Sequence, residues 1–294
     1  MAAGVRVLCT LALCFQQVNA QTPNEWKGVD QALGRSGTVQ GEAYRIGFPR
    51  TDLHVTVGSV SVRPALALGS WVALKKTGDS TAMLMGDLVL RPSEVAAVID
   101  ALQQGGIMQT ALHNHLSGDT PHVVYLHIAG SGRPAALANA VHEGLAKTTT
   151  PLAPPASPPA AGPLGLDTAQ LAQALGAHGK ANGGVYQVSV PRATPVMMDS
   201  VEIPPAMGVA TAINFQSTGA SKAATTGDFV LIATEVNPVI RALRATGITV
   251  TALHSHMLNE SPRLFFMHFW GEGEAVKLAQ GLRAALDVMN IKRN

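Results

Sequence analysis

Ala111-Leu-His-Asn-His-Leu116, followed by Pro121 and the run Val123 to Gly130, returns later in the chain as Ala252-Leu-His-Ser-His-Met257, Pro262 and Leu264 to Gly271. The offset is 141 residues, as from His113 to His254. At that offset Gly86-Asp87-Leu88-Val89-Leu90 matches Gly227-Asp228-Phe229-Val230-Leu231, Glu94-Val95 matches Glu235-Val236, and Gly106-Ile107 matches Gly247-Ile248. With one residue of slippage, Tyr44 pairs with Tyr186 and Pro49-Arg50 with Pro191-Arg192. A repeat this long, with its parts in the same order, is the tandem duplication of a whole domain. Between the copies, Thr148 to Pro163 is rich in proline and alanine, a composition that predicts a semi-rigid extended spacer. The expected organisation is a first repeat over 24–147, a linker over 148–163 and a second repeat over 164–290.

Within each copy, period and punctuation give the elements. Leu53 to Val62 alternates like a half-buried strand, Leu66 to Leu74 reads as another, and Gly86-Asp87 reads as a turn before the apolar Leu88 to Leu90. Pro92-Ser93-Glu94 opens a helix with Ser93 as cap and Gly105-Gly106 as stop; Thr234 and Gly247 take those parts in the second copy. Two extended runs, Ile107 to Leu116 and Val123 to Ala129, are joined by a polar loop. A last helix follows over 134–145, and over 274–286 in the second copy. The prediction is an α+β fold: two similar domains, each a mostly antiparallel sheet with two helices, packed as an intramolecular pseudo-dimer.

Composition narrows the function. The 294 residues are 47% hydrophobic and only 14% charged, which excludes a disordered chain. Lys and Arg outnumber Asp and Glu by 21 to 19 without a basic run, and aromatics are 4%, so no nucleic-acid partner is expected. Arg6, the apolar run Val5 to Phe15 and Val18-Asn19-Ala20 read as an export signal over 1–20, predicting a periplasmic or secreted protein. That run is too short to span a bilayer, which needs about 20 apolar residues. Both cysteines, Cys9 and Cys14, fall inside it, so a chain processed before Gln21 would have no thiol chemistry.

The chemistry falls to histidine. His113, His115 and His127, with His254, His256 and His268, form two equivalent sets in a His-x-His-x3-Asp/Glu-x7-His pattern. Residues two apart on a strand share a face with Cα atoms about 6.6 Å apart, within reach of one metal ion. If facing residues of the hairpin sum to 240, His113 lies opposite His127 and all three rings point one way. Asp119 and Glu260, four residues after each pair, are candidates for a fourth ligand or for the catalytic base that deprotonates metal-bound water. Such a donor set suits zinc, manganese, iron or copper. Asp87 and Asp228 read instead as turn caps.

At these residues the sequence resembles the LppY/LpqO family of bacterial exported proteins. The resemblance rests on Gly86 to Leu90, Ala111 to Leu116, Pro205-Ala-Met-Gly208 through Ala212-Ile-Asn-Phe215, and Leu264-Phe-Phe-Met-His-Phe-Trp270. It covers about residues 24 to 290 and implies export, without an activity to carry over. The residues themselves point to binding of a divalent transition metal and to metal-dependent hydrolysis or oxidation of an unidentified small molecule. The alternative is a non-catalytic ligand-binding or structural two-domain module, with Tyr125, Phe265, Phe266, Phe269 and Trp270 lining its interface or pocket.

Overall fold

The computed structural model describes residues 24–154 and 164–293. The expected signal over 1–20 and the linker from 155 onward lie outside the described residues. The first half runs α1 (Lys27–Leu33), β1 (Thr38–Gln40), β2 (Ala43–Pro49), β3 (Thr56–Val57), β4 (Val60–Ser61), α2 (Pro64–Ala67), β5 (Gly69–Lys76), β6 (Ala82–Leu90), α3 (Val95–Gln104), β7 (Met108–His113), β8 (Asp119–Thr120), β9 (Val124–Gly132) and α4 (Pro134–Leu145). The second half repeats the plan: α5 (Thr168–Leu175), β10 (Gly179–Asn182), β11 (Val185–Pro191), β12 (Val196–Met198), β13 (Val201–Ile203), β14 (Ala210–Gly219), β15 (Lys222–Leu231), α6 (Ala233–Ala245), β16 (Thr249–His254), β17 (Glu260–Ser261), β18 (Phe265–Glu274) and α7 (Ala275–Leu286).

Each half is built on a six-stranded antiparallel sheet, ordered β1-β2-β5-β6-β9-β7 in the first and β10-β11-β14-β15-β18-β16 in the second. One face of each sheet carries its helices, and there the private cores form. Leu84, Leu126 and Ile128 meet Val98, Leu102 and Val141 in the first half; Phe215, Phe229 and Phe269 meet Val239, Leu243 and Leu282 in the second. The other faces look at each other. Ala73, Met83 and Met85 pack against Met207, Val230, Leu264 and Phe266, and a further apolar cluster joins Val55, Leu66, Val89 and Tyr125 to Val185 and Trp270. The central strands β6 and β9 are thus covered on both sides and read as near-continuous apolar runs rather than alternating ones.

That double burial corrects the reading of Gly86-Asp87. These residues form no turn but lie in the middle of β6, as Gly227-Asp228 lie in β15. Gly86 permits a close strand approach: a Cβ there would come within 2.8 Å of the Trp71 carbonyl oxygen, and one at Gly227 within 1.9 Å of that of Ala212. The segment 53–62 is not one strand but holds the β3–β4 hairpin, and 66–74 begins in the end of α2 before β5 starts at Gly69. Helices α1 and α5 add to the two expected in each half. Ser93 and Thr234 do not cap. Glu94 and Glu235 do so by accepting the backbone N–H of Arg91 (2.8 Å) and Ile232 (2.9 Å), because each is also held by a buried arginine. Arg50 donates to Glu94, Asp52 and the Val89 carbonyl; Arg192 donates to Glu235 and the Val230 carbonyl. The start of the supposed spacer is packed, since Arg35 donates to the Leu152 and Ala153 carbonyls and Thr149 to Asp52.

Candidate metal centre

The histidines sit where the two sheets face each other. In the β7–β9 ladder His113 lies opposite Tyr125 and Ala111 opposite His127, a sum of 238. A bulge between Gln109 and Ala111 accompanies this two-residue departure from the expected register. Because side chains alternate with a period of two, a shift of two keeps all three rings on one face. The second half repeats the arrangement, with His254 opposite Phe266 and Ala252 opposite His268.

The expectation of one site per copy understates what packing does. Rings of the two halves stack in three pairs: His113 on His254 at 3.7 Å between centroids, His115 on His268 at 3.7 Å, and His127 on His256 at 3.6 Å. A two-fold exchange of the halves maps this set of pairs onto itself. Tyr125 lies flat on His115 at 3.6 Å and Phe266 on His256 at 3.4 Å, closing the outer faces of the stack. Two matched hydrogen bonds hold the loops together, Thr110 Oγ1 to the His256 carbonyl and Thr251 Oγ1 to the His115 carbonyl, each 2.6 Å.

Every ring of the cluster keeps at least one nitrogen without a hydrogen-bond partner. His268 Nδ1 lies 2.9 Å from the Gly227 carbonyl, which can only accept, so the proton is on Nδ1 and Nε2 carries a lone pair. The Gly86 carbonyl bonds to the His127 ring in the same way. Among the described residues, Nε2 of His115, His127, His256 and His268 and both nitrogens of His113 and His254 are buried without a hydrogen-bond partner. Burial keeps the rings neutral: His127 is pushed down to about 4 and His254 to about 3, and the other four also fall below the usual histidine range. In all six rings the neighbouring imidazoles add to that effect. Neutral imidazoles with bare lone pairs are what a transition metal binds.

Two acids complete the surroundings, and they are not the ones expected. Asp87 pairs with His127 across β6 and β9, and its Oδ2 lies 3.4 Å from His115 Nε2 and 3.8 Å from His127 Nε2. Asp228 Oδ2 lies 3.6 Å from His256 Nε2, and its Oδ1 lies 3.8 Å from His268 Nδ1. Burial raises both carboxyls, Asp228 well above its ordinary value. Asp119 and Glu260 instead tie up their own loops. Asp119 accepts the Val123 N–H at 2.9 Å and faces His122 Nδ1 at 3.2 Å; Glu260 accepts the Leu264 N–H at 2.9 Å and pairs with Arg263 at 3.2 Å. None of the four acids belongs to the groups of donor atoms close enough to share an ion, which are His113/His115/His127 and His113/His254/His256/His268; Asp87 and Asp228 differ from Asp119 and Glu260 in lying beside two rings each. The sequence did carry a signal for Asp87 and Asp228: they recur at the same offset as the histidines inside an otherwise apolar run.

A family model described as Domain of Unknown Function (DUF1259) matches residues 27–147 and again residues 169–288. No curated protein matches the chain. Among solved structures, a trimeric bacterial microcompartment shell protein, PduB, aligns over 88% of this chain and 96% of its own at 12% identity, with a TM-score of 0.24. EtuB from Clostridium kluyveri aligns over 86% and 90% at 13% identity, with a TM-score of 0.20. TM-scores this low do not establish a common architecture. No helix among the described residues is long and apolar enough to cross a membrane.

Proposed function

The chain belongs to the family described as Domain of Unknown Function (DUF1259), matched by both its halves, and we propose that it is a two-lobed, non-catalytic module that binds divalent transition metal between its halves. One observation carries this reading: buried, neutral imidazoles from both repeats turn partnerless nitrogens toward one another at the interface. Zinc, manganese, iron and copper all accept such nitrogen donors with added carboxylate. Asp119 and Glu260, the acids expected to serve as bases in hydrolysis, are both committed to backbone N–H groups of their own loops, which leaves binding as the role the histidines support. Export remains part of the proposal, supported by Arg6 and the apolar run that follows it. The test is elemental analysis of untagged protein after dialysis against zinc or manganese. At least one equivalent is expected in the native chain and its loss in a His113→Ala, His254→Ala double variant; less than about a tenth of an equivalent in the native chain would sink the proposal.

A further inference from the structure

How many ions the centre takes follows from the way its donor atoms divide, an inference that rests on the metal-binding reading. In an octahedral ion with nitrogen donors at about 2.1 Å, no two donors lie more than about 4.2 Å apart. Six histidines sharing one ion would therefore all fall within that span. They do not: even within the wider limit of 4.8 Å they separate into His113/His115/His127 and His254/His256/His268, with His113 close enough to join the second set.

The carboxylates divide the same way. Donors on one tetrahedral ion lie about 3.4 Å from each other. Asp87 Oδ2 comes near that spacing with Nε2 of His115 and His127 in its own half, at 3.4 and 3.8 Å, and Asp228 Oδ2 with Nε2 of His256 in the other, at 3.6 Å. Oδ1 of each aspartate is buried and has no hydrogen-bond partner. We propose that the centre holds a pair of divalent first-row transition-metal ions, one at His113, His115 and His127 with Asp87 beside it, and the other at His254, His256 and His268 with Asp228 beside it. Because the two ring sets stack at 3.6 to 3.7 Å, two ions held by them would lie close together, as in two-metal sites, and their unpaired spins would couple. Three histidines per ion use every ring of the cluster, and one of the two acids that face it flanks each set.

The experiment loads the full native chain with copper(II) and reads metal content together with the electron paramagnetic resonance spectrum. Two ions per chain with an exchange-coupled signal are expected, and Asp87→Asn and Asp228→Asn should each retain one ion with an ordinary isolated-copper spectrum. Circular dichroism checks that the variants fold; if one does not, the stoichiometry and coupling of the native chain decide alone. A single ion in the native chain, two uncoupled ions, or folded aspartate variants that keep a coupled pair would overturn the pair while leaving metal binding intact. Failure to take up copper, zinc or manganese at all would overturn both.

Discussion

Lowering the pH of chelator-stripped protein tests the histidine cluster through its proton balance. An unfolded histidine titrates near 6.5, whereas burial holds His127 at about 4, His254 at about 3 and the other four rings below their ordinary range as well. Protons therefore bind the unfolded chain more readily, and stability falls as pH drops through 6.5 toward the folded values. Between pH 7.5 and 5.5 each ring that stays neutral in the fold costs about 1.4 kcal/mol, or about 8 kcal/mol for six. The aspartates act in the opposite sense. Asp87 and Asp228, raised by burial, keep protons in the fold that unfolded carboxyls near 3.9 release. One proton each over two pH units returns at most about 5 kcal/mol. Asp52, Glu94 and Glu235 are lowered, so the stability they contribute is still present at pH 5.5 and is lost only below about 4.5. The net loss is about 3 to 8 kcal/mol, or roughly 6 to 16 °C at about 2 °C per kcal/mol for a chain of this size. Thermal melts in EDTA at the two pH values, followed by tryptophan fluorescence, read it directly. A Tm that stays level or rises from pH 7.5 to 5.5 would refute the picture of six neutral buried rings.

Zinc at about a hundred times its Kd should stabilise the native chain by about 2.7 kcal/mol, seen as a rise in Tm at pH 7.5 that the His113→Ala, His254→Ala variant does not show. Glu235→Ala leaves Arg192 buried beside the Val230 carbonyl without its counter-charge and should cost about 3–5 kcal/mol in urea unfolding; a cost under 1 kcal/mol would mean that the pair contributes little. Gly227→Ala drives a Cβ into the Ala212 carbonyl oxygen and displaces the carbonyl that orients His268, so it should destabilise by about 2 kcal/mol or more and weaken metal binding at least tenfold by calorimetry. The paired change Thr110→Val and Thr251→Val removes the two matched bonds between halves and should cost about 2 kcal/mol in total, read in the same urea assay.

The duplication and the histidine faces were legible because both depend on local order and parity. Identical spacing in two copies and odd numbering along strands survive a change of register by two, so His113, His115 and His127 share a face although the pairing sum is 238 rather than 240. Helix α4 begins at Pro134 and ends at Leu145 as read, because a proline start and a one-sided apolar pattern are local signals. What failed depended on tertiary burial. Asp87 looked like a turn cap because glycine and aspartate usually punctuate the chain, whereas in a strand covered on both faces glycine makes room for a neighbour and aspartate faces a polar centre. Asp119 and Glu260 looked like ligands because they follow the histidines at constant distance; that distance is set by the loop each one staples. That the two histidine sets stack on each other is a property of the interface between the halves, which neither repeat's own periodicity encodes.

Burial of the cluster also gives the duplication an energetic logic. A buried polar atom without a partner costs about 1–3 kcal/mol, so ring nitrogens that pack here without a protein partner favour a ligand that fills their lone pairs. Apolar packing around the cluster cannot relieve that cost, since Tyr125 and Phe266 cover ring faces and leave the in-plane lone pairs untouched. Metal ligation can, because structural zinc sites return about 10–16 kcal/mol. Each half contributes three rings, and what crosses the interface is their stacking: each ring set lies on the other half's rings. A separated half would expose those rings to water, losing the penalty and the preorganised site together. Under the proposed metal binding, ion uptake and the docking of one repeat on the other would be coupled through the stacked rings, and metal is expected to raise the cooperativity with which the two halves unfold.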